Sequence, residues 1–458
     1  MRSWIFVIGL LLWEASELWA QKVFTEEALV AAVKQYHPVA QQALLDVKIA
    51  RAEVTKSQGA FDPLLQWNNS RKEFDGTIYY DQQDAALKIP TWYGIDLYAG
   101  KESLSGNRLN PEKTKGSIYY LGVSMPLVQN LVLDKRRAAL QQAKLFREQA
   151  LWQQRTALND LLVTAIEAYW QWWGVYHYYQ LVQAALINAQ KRLQLVRTAY
   201  ALGDRPAIDT LEAYTQLQLF LLKENEVKRE VEKAQLELSA FLWKEQQQPY
   251  QLPADAIPQA TQDVEVLAFE ELLDAVRRHP ELEVYGYKLK GLQIERRMQF
   301  QSLLPAVDLK YQHMDRAFDR NIHSSWLENN YRFGISVAVP LRLSEGRGAY
   351  KVARLKLDQT RLAQLHKQWE LETKLRKQYV EWEQSREQVH RQQSLVANYM
   401  TLQRGEEVRF QNGESSLFLV NARELKVIES QQKQIEWQVK NKVALVRLKG
   451  AAGLFVTE

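Results

Sequence analysis

The 458-residue chain contains no cysteine. That removes disulfide frameworks, thiolate metal sites, iron–sulfur ligation and thiol nucleophiles from consideration. Glycine and proline are scarce, at 19 and 12 residues, which rules out a collagen-like or proline-rich chain. A composition 46% apolar and 25% charged does not suit disorder either. An excess of either charge is nearly absent: 59 basic against 54 acidic residues leave a net +5, unlike a nucleic-acid binder. Past Ala20 no window of about 18 uncharged apolar residues exists, so no mature segment is suited to cross a membrane as an α-helix. Aromatic residues are abundant instead, with 14 Trp and 21 Tyr, as in proteins of membrane interfaces or large contact surfaces.

The first twenty residues read as an export signal: Arg2, an apolar run from Trp4 to Trp13, then a polar stretch ending in Ala20 before Gln21. The run is too short for the roughly 20 residues of a membrane helix. A buried N-terminal helix is the alternative, and Glu14 and Glu17 break its apolar pattern. Loss of one base and two acids with this segment raises the net charge from +5 to +6. The exported remainder is either soluble or a β-barrel.

The sequence is written twice. His37-Pro38 answers His279-Pro280 and Pro63 answers Pro305, both at an offset of 242 residues. The register then holds at 210: Arg137 with Arg347, Ala143 with Ala353, Tyr169 with Tyr379, Trp172 with Trp382, Gly203 with Gly413, Ala234 with Ala444. Hydrophobic phase alone would not align prolines, tryptophans and turn glycines at one spacing, so the chain is a duplication.

Each repeat begins with a helix broken at His-Pro, where proline lacks an N–H and restricts the residue before it. A strand region follows, with alternation in Leu65 and Trp67, in Tyr119, Leu121, Val123 and Met125, in Val307, Leu309 and Tyr311, and from Tyr331 to Val339. Segments of about ten residues with period two suit tilted barrel strands, and they equally suit half-buried strands of a soluble sheet.

A very long helix comes next. Between Leu131 and Gly203 there is no proline and one glycine, Gly174; between Ala349 and Gly413 there is again no proline and one glycine, Gly405. The first of these rods would extend on the order of 100 Å. Leu151, Leu158, Ala165, Trp172, Tyr179, Leu186, Leu193 and Tyr200 recur every seven residues, the mark of a coiled-coil seam. The second rod keeps that series mainly in its middle, at Leu375, Trp382, Val389 and Val396. Gly203 and Gly413 suit the left-handed residue that closes a helix, and a return helix follows each.

These signals predict a signal peptide over 1–20 and a first repeat over 21–243 (helix 25–60, strand region 63–126, long helix 133–202, return helix 208–243). A proline-rich linker over 244–264 leads to a second repeat over 265–453 (helix 265–303, strand region 306–340, long helix 348–411, return helix 416–450) and a tail over 454–458. If the helices flanking a strand region stand on one side of a membrane, the crossings per repeat are even. Two per repeat give four per chain, too few to close a barrel, so several copies must assemble. The first strand region holds 28 more residues than the second, counted from Pro63 to Pro126 against Pro305 to Pro340. They include Thr91 to Gly94 and Ser103 to Pro111, and belong in an outer loop or an extra hairpin.

The duplication, the two His-Pro breaks, Pro126-Leu127 and Pro340-Leu341 closing the strand regions, the Arg and Ala spacing that opens each long helix, Tyr169 and Tyr379, and the tip glycines each followed by a return helix form an ordered set. With them the chain resembles the TolC-like outer-membrane efflux family over essentially Phe24 to Gly453. The resemblance implies a membrane α+β fold in which long antiparallel α-hairpins form a periplasmic α-barrel. Four strands per chain would enter a twelve-stranded β-barrel of a homotrimer, in contact with outer-membrane lipid. It implies the outer membrane of a Gram-negative bacterium and the role of an exit duct that catalyses no reaction. Its partners would be a periplasmic adaptor and an inner-membrane pump, its cargo drugs, small toxic molecules or polypeptides secreted by a type I system.

In relatives the inner constriction carries acidic residues six and nine positions after the second tip glycine. Here those positions are Leu419 and Ala422, while Asp209 and Glu212 stand at the same offsets from Gly203, with Arg205 between. The resemblance thus makes Gly203, Arg205, Asp209, Glu212, Gly413 and Ser416 the tip and gate candidates. The two acids also suit the first turn of any helix, and Ser416 suits an N-cap. Candidates for an interfacial aromatic belt are Tyr79, Tyr80, Trp92, Tyr119, Tyr120, Trp326 and Tyr331. The run from Tyr169 to Tyr179 lies within a long helix and reads as packing against the linker and a neighbouring protomer rather than as a ligand platform.

Gly346-Arg347-Gly348 lacks the third glycine of a dinucleotide loop. The seven histidines show no metal-ligand spacing, and no cofactor, nucleic acid or catalytic constellation is indicated. A soluble periplasmic coiled-coil scaffold is the rival reading.

Overall fold

The computed structural model describes residues 23–260, 268–316 and 330–456; the signal segment and Trp326 lie outside them. The chain divides into two compact units. One is built from residues up to Leu44, Gln154–Pro280 and from Lys367 onward, the other from Leu45–Gln153 and Glu281–His366.

Helix α1 (Glu26–Tyr36) starts at Thr25, whose hydroxyl accepts from the Ala28 N–H. It ends at His37, which Pro38 holds in an extended conformation (ψ 132°). Helix α2 (Pro38–Gln58) follows at once. The His37 Nδ1 accepts from the Val39 N–H at 3.2 Å, so the imidazole caps the break. In the second repeat α5 (Phe269–Arg277) and α6 (Pro280–Gln301) are separated at the same dipeptide.

Among the described residues the strand regions form one antiparallel sheet of six strands: β1 (Leu64–Phe74), β2 (Thr77–Pro90), β3 (Asp96–Ser105), β4 (Gly116–Pro126), β5 (Ala306–Asp315) and β6 (Tyr331–Ala338). Spatial order follows chain order, so the sheet is a meander in which β4 of the first repeat pairs with β5 of the second. Two strands per repeat would give four. The count is corrected because the additional residues of the first repeat form a full hairpin, β2–β3, paired over ten positions from Asp81–Ser105 to Pro90–Asp96. Its turn, which holds Trp92, is not an outer loop. Trp92 stacks on Phe61 at 4.2 Å, immediately before β1, and Asp96 is bound by Arg136 at 2.9 Å and Lys88 at 3.2 Å. The turn therefore lies at the helix-proximal edge of the sheet.

Helix α3 (Lys135–Ala201) runs 67 residues and α7 (Ser344–Gln411) 68. Each is followed by a return helix, α4 (Ala207–Ser239) and α8 (Leu417–Ala451). Helix α7 begins before Gly346, so Gly346-Arg347-Gly348 is its first turn and not a loop. Asp134 caps α3, accepting from the Arg137 N–H at 2.8 Å. Arg137 then donates to the carbonyls of Asn130 and Leu131, tying the approach from β4 to the helix start. No described helix is long and apolar enough to cross a membrane.

The largest core lies in the first unit, where α3 packs on α1, α4, α8 and the linker. Ala165, Trp172, Leu186 and Leu193 of the seven-residue series are buried, while Tyr200 near the tip is half exposed. Close approach of α8 needs glycine: a side chain at Gly174 would reach 2.5 Å from Val439, and one at Gly450 would collide with Val163. The Tyr169 hydroxyl sits between the carbonyls of Phe24 (2.9 Å) and Gln259 (2.6 Å) and accepts from the Gln259 N–H. Those two carbonyls belong to the parallel ladder that joins Val23–Phe24 to Ile257–Pro258 and the residue after it. Burial pushes the Tyr169 phenol above its ordinary range, keeping it a neutral donor. The aromatic run thus packs against the linker.

Tyr169→Phe should cost about 1 kcal/mol, because partly buried backbone groups at Phe24 and Gln259 lose a partner while the ring still fits. Chemical unfolding of the purified chain measures it; an unchanged midpoint would show that the hydroxyl contributes nothing.

Candidate functional site

The two helical turns of the first unit are built alike. Gly203 (φ +83°) and Gly413 (φ +79°) adopt the left-handed conformation. Asp204 N–H bonds the Ala199 carbonyl and Gly203 N–H that of Tyr200; Glu414 N–H bonds Arg409 and Gly413 N–H bonds Phe410. Each is a Schellman closure, which needs a residue without Cβ strain at that position. Ser416 is the N-cap of α8, accepting from the Leu419 N–H at 3.4 Å. Its counterpart Pro206 caps α4 without a side-chain bond.

Arg205 joins the two turns. Its guanidinium lies 4.0 Å from the Phe410 ring centroid and donates to the Phe410 carbonyl at 3.2 Å. Asp209, in the first turn of α4, approaches Arg205 at 3.9 Å. Glu212 faces the second repeat, where its carboxylate accepts from Asn421 Nδ2 at 3.2 Å. The amide oxygen of Asn421 accepts in turn from Arg192 Nη1 at 3.0 Å, and Arg192 holds Glu424 with both guanidinium ends, at 2.5 and 3.1 Å. Glu424 and Asn421 are only 4% and 2% exposed. The series Glu212–Asn421–Arg192–Glu424 therefore crosses α4, α8 and α3 in a desolvated place, where charge-assisted bonds are strong. Leu419 and Ala422 take no part in it.

Of the tip candidates, Glu212 enters this network, while Arg205 pairs with Asp209 and with Phe410. The sequence reading did not single out Arg192, Asn421, Glu424 or Glu406. Glu406 is also buried, bonded to Ser415 and facing Arg409 and Arg423. A signal for Asn421 and Glu424 exists: they interrupt the buried stripe Leu417, Val420, Val427 of α8. A polar group at such a position implies a partner.

In the second unit the register sorts the sheet into two faces. One carries Leu65 and Trp67, Leu87 and Ile89, Leu121 and Val123, Leu309 and Tyr311, Phe333 and Ile335, cross-strand neighbours running along the helix-proximal part. The other carries Lys88, Asp84, Glu102, Lys310 and Arg332, and Tyr120, whose hydroxyl donates to Asp84 at 2.9 Å across Gly100. A Cβ at Gly100 would fall 2.5 Å from the Tyr120 ring, so the glycine is the seat of that tyrosine. Tyr119 and Tyr331 lie on the apolar face. Tyr80 and Tyr120 lie on the polar one, which corrects their place among the belt candidates. Tyr79 is the extra residue at the bulge opposite Lys72 and Glu73, with Lys72 Nζ 4.8 Å from its ring. Among the described residues no cluster of metal ligands occurs.

Arg192→Ala should destabilise the tip by about 3–5 kcal/mol, since it leaves Glu424 buried without its cation, whereas adding Glu424→Leu should recover much of that loss. Hydrogen exchange of α8 residues near Asn421 reads it; protection unchanged in the single variant would show that the pair does not hold the tip.

Residues 273–454 match the family model described as outer membrane efflux protein. No curated protein matches the chain. Among solved structures the CmeC outer membrane channel of Campylobacter jejuni is similar at TM-score 0.66 and 14% identity, covering 94% of this chain and 87% of that one. The open-state MtrE outer membrane channel of Neisseria gonorrhoeae gives 0.67 and 15%, covering 93% and 88%. The outer membrane protein VceC of Vibrio cholerae gives 0.65 and 14%, covering 93% and 96%. The second repeat thus carries an outer membrane efflux protein domain, and the chain over more than nine-tenths of its length shares the fold of those outer membrane channels.

Proposed function

We propose that three copies of this chain form the passive exit duct of a tripartite efflux assembly, seated in the outer membrane by their sheets and reaching into the periplasm by their helical hairpins. The observation that carries this reading is the sheet, which is apolar on one face, polar on the other and open at both edges. Edges of that kind are tolerated in lipid only when another strand covers them. The apolar face meets lipid, with Tyr119 and Tyr331 toward its outer border, and the polar face lines a water-filled passage. A soluble scaffold would have no use for an apolar sheet face of this extent.

The duct catalyses nothing. A periplasmic adaptor and an inner-membrane pump supply its cargo and its energy, and a wet passage suits drugs and small toxic molecules or, in a type I secretion assembly, a polypeptide. The turns at Gly203 and Gly413 form the periplasmic end, and opening requires them to separate. The bonds to be broken are those of Arg205 with Phe410 and of Glu212 with Asn421, with Asp209 and Glu212 supplying negative charge beside the passage. Gly413 and Ser416 fix the start of the hairpin arm that moves.

Detergent-purified protein in planar bilayers should give discrete conductance steps, and chemical cross-linking should stop at three subunits. Asp209→Ala with Glu212→Ala should raise conductance or reduce cation preference. Unchanged single-channel behaviour would remove both acids from the gate, and a protein that needs no detergent would overturn the duct.

A further inference from the structure

The strand count carries a consequence for the membrane section. Among the described residues the sheet ends in two unpaired edges: β1 is exposed along all 11 residues and β6 along all 8. β1 leads away from the helix-proximal edge and β6 returns to it, so the two run in opposite directions and fit each other head to tail across copies. Six strands fall short of the smallest membrane barrels, which have about eight, so no single copy closes.

The added hairpin is wall and not a flap. β2 is paired on both sides over Asp81–Lys88 and β3 over Asp96–Leu104, and their turn is fastened beside α3 by the Trp92–Phe61 stack and the Arg136–Asp96 bond.

Closure also demands a stagger, and the sheet has it. The ladder leaving Leu64, the first residue of β1, runs through Lys88, Tyr98, Gly122 and Gln312 to Arg332. Measured from the helix-proximal ends at Pro90, Asp96, Pro126, Ala306 and Ala338, the climb is two residues at β2 and β3, four at β4, and six at β5 and β6. Six residues over five strand spacings is a tilt of about 40°, within the roughly 35–45° of barrel strands. Level helix-proximal ends then bring Leu64 of one copy beside the last residues of β6 in the next.

From these observations we infer that three copies close an eighteen-stranded barrel, the β1 edge of each paired antiparallel with the β6 edge of its neighbour. The inference rests on the trimeric membrane reading above for the number three. Barrel diameter grows roughly linearly with strand number, so this wall is about one and a half times as wide as a twelve-stranded one and of porin size, with an aqueous lumen.

The absence of cysteine makes the edges directly testable in the full chain. Leu65→Cys with Val337→Cys, and as a second pair Trp67→Cys with Ile335→Cys, should form disulfides between copies under oxidation, giving a ladder on non-reducing gels that ends at three times the monomer mass and collapses to monomer with reductant. Neither single variant should exceed a dimer. Electron cryo-microscopy of the unmodified detergent-purified protein should show eighteen strands in cross-section. A trimer with twelve strands in its wall and β2–β3 outside it, or an intact trimer in which neither pair links, would overturn the inference and leave the duct reading standing, whereas a two-copy ring would overturn both the strand count and the number three. A lone molecule that stays soluble without detergent would overturn the duct reading itself.

Discussion

Backbone hydrogen bonding at the sheet edges is the constraint on which everything else turns. A helix satisfies its own N–H and C=O groups and needs packing only for its side chains. A meander does not, because its first and last strands each present a row of unmet groups, and β1 and β6 do so along their whole lengths. Water can satisfy them and hydrocarbon cannot. The apolar face formed by residues such as Trp67, Leu121, Phe333 and Ile335 argues for hydrocarbon, so the chain is structurally incomplete alone. The duplication fits this need, since two similar halves place one edge strand at each end of a continuous sheet.

The helical part was legible in the sequence because its signals are local. The break at His37-Pro38, the glycines that close α3 and α7 and the capping serine at Ser416 each act within a few residues of themselves. The 210-residue register carried the same grammar into the second half. The strand count was not legible. β2 has apolar alternation only at Ala85, Leu87 and Ile89, with Asp81 and Gln83 continuing the same face, and β3 offers only Leu97 and Ala99 before Lys101 and Ser103. Those strands stay in register through backbone pairing and through Tyr120 seated over Gly100, devices that leave no periodic hydrophobic trace. The same mechanism explains the misplaced tyrosines: adjacent tyrosines in a strand face opposite ways, so Tyr119–Tyr120 cannot both meet lipid.

The tip network was partly hidden for another reason. Arg192 and Glu424 are 232 residues apart in sequence, and nothing local in a charged helix says which of its many arginines is buried. What the sequence did carry was the interruption of an apolar stripe by Asn421 and Glu424. Buried polar groups of this kind contribute little net stability compared with a well-packed apolar alternative, and they fix one arrangement of the helices against others. Here the arrangement fixed is that of the two hairpin turns within one chain.

That distinction bears on how a passage could open. An apolar contact between the turns would tolerate sliding, since dispersion is non-directional. The Arg205 guanidinium stacked on Phe410 while donating to its carbonyl, and Glu212 bonded to a buried amide, have one satisfactory geometry each. Small displacements therefore lose these bonds at once, and intermediate positions leave buried groups unpaired. A tip held in this way favours two discrete positions over a continuum, and a partner that repairs or replaces those bonds would bias the choice between them by its differential affinity. The wall of strands has no such freedom, because every displacement there breaks a ladder. In the duct proposed above, the strands would then be the rigid section, fixed by backbone pairing, and the tip the section free to switch, held by a few directional side-chain bonds.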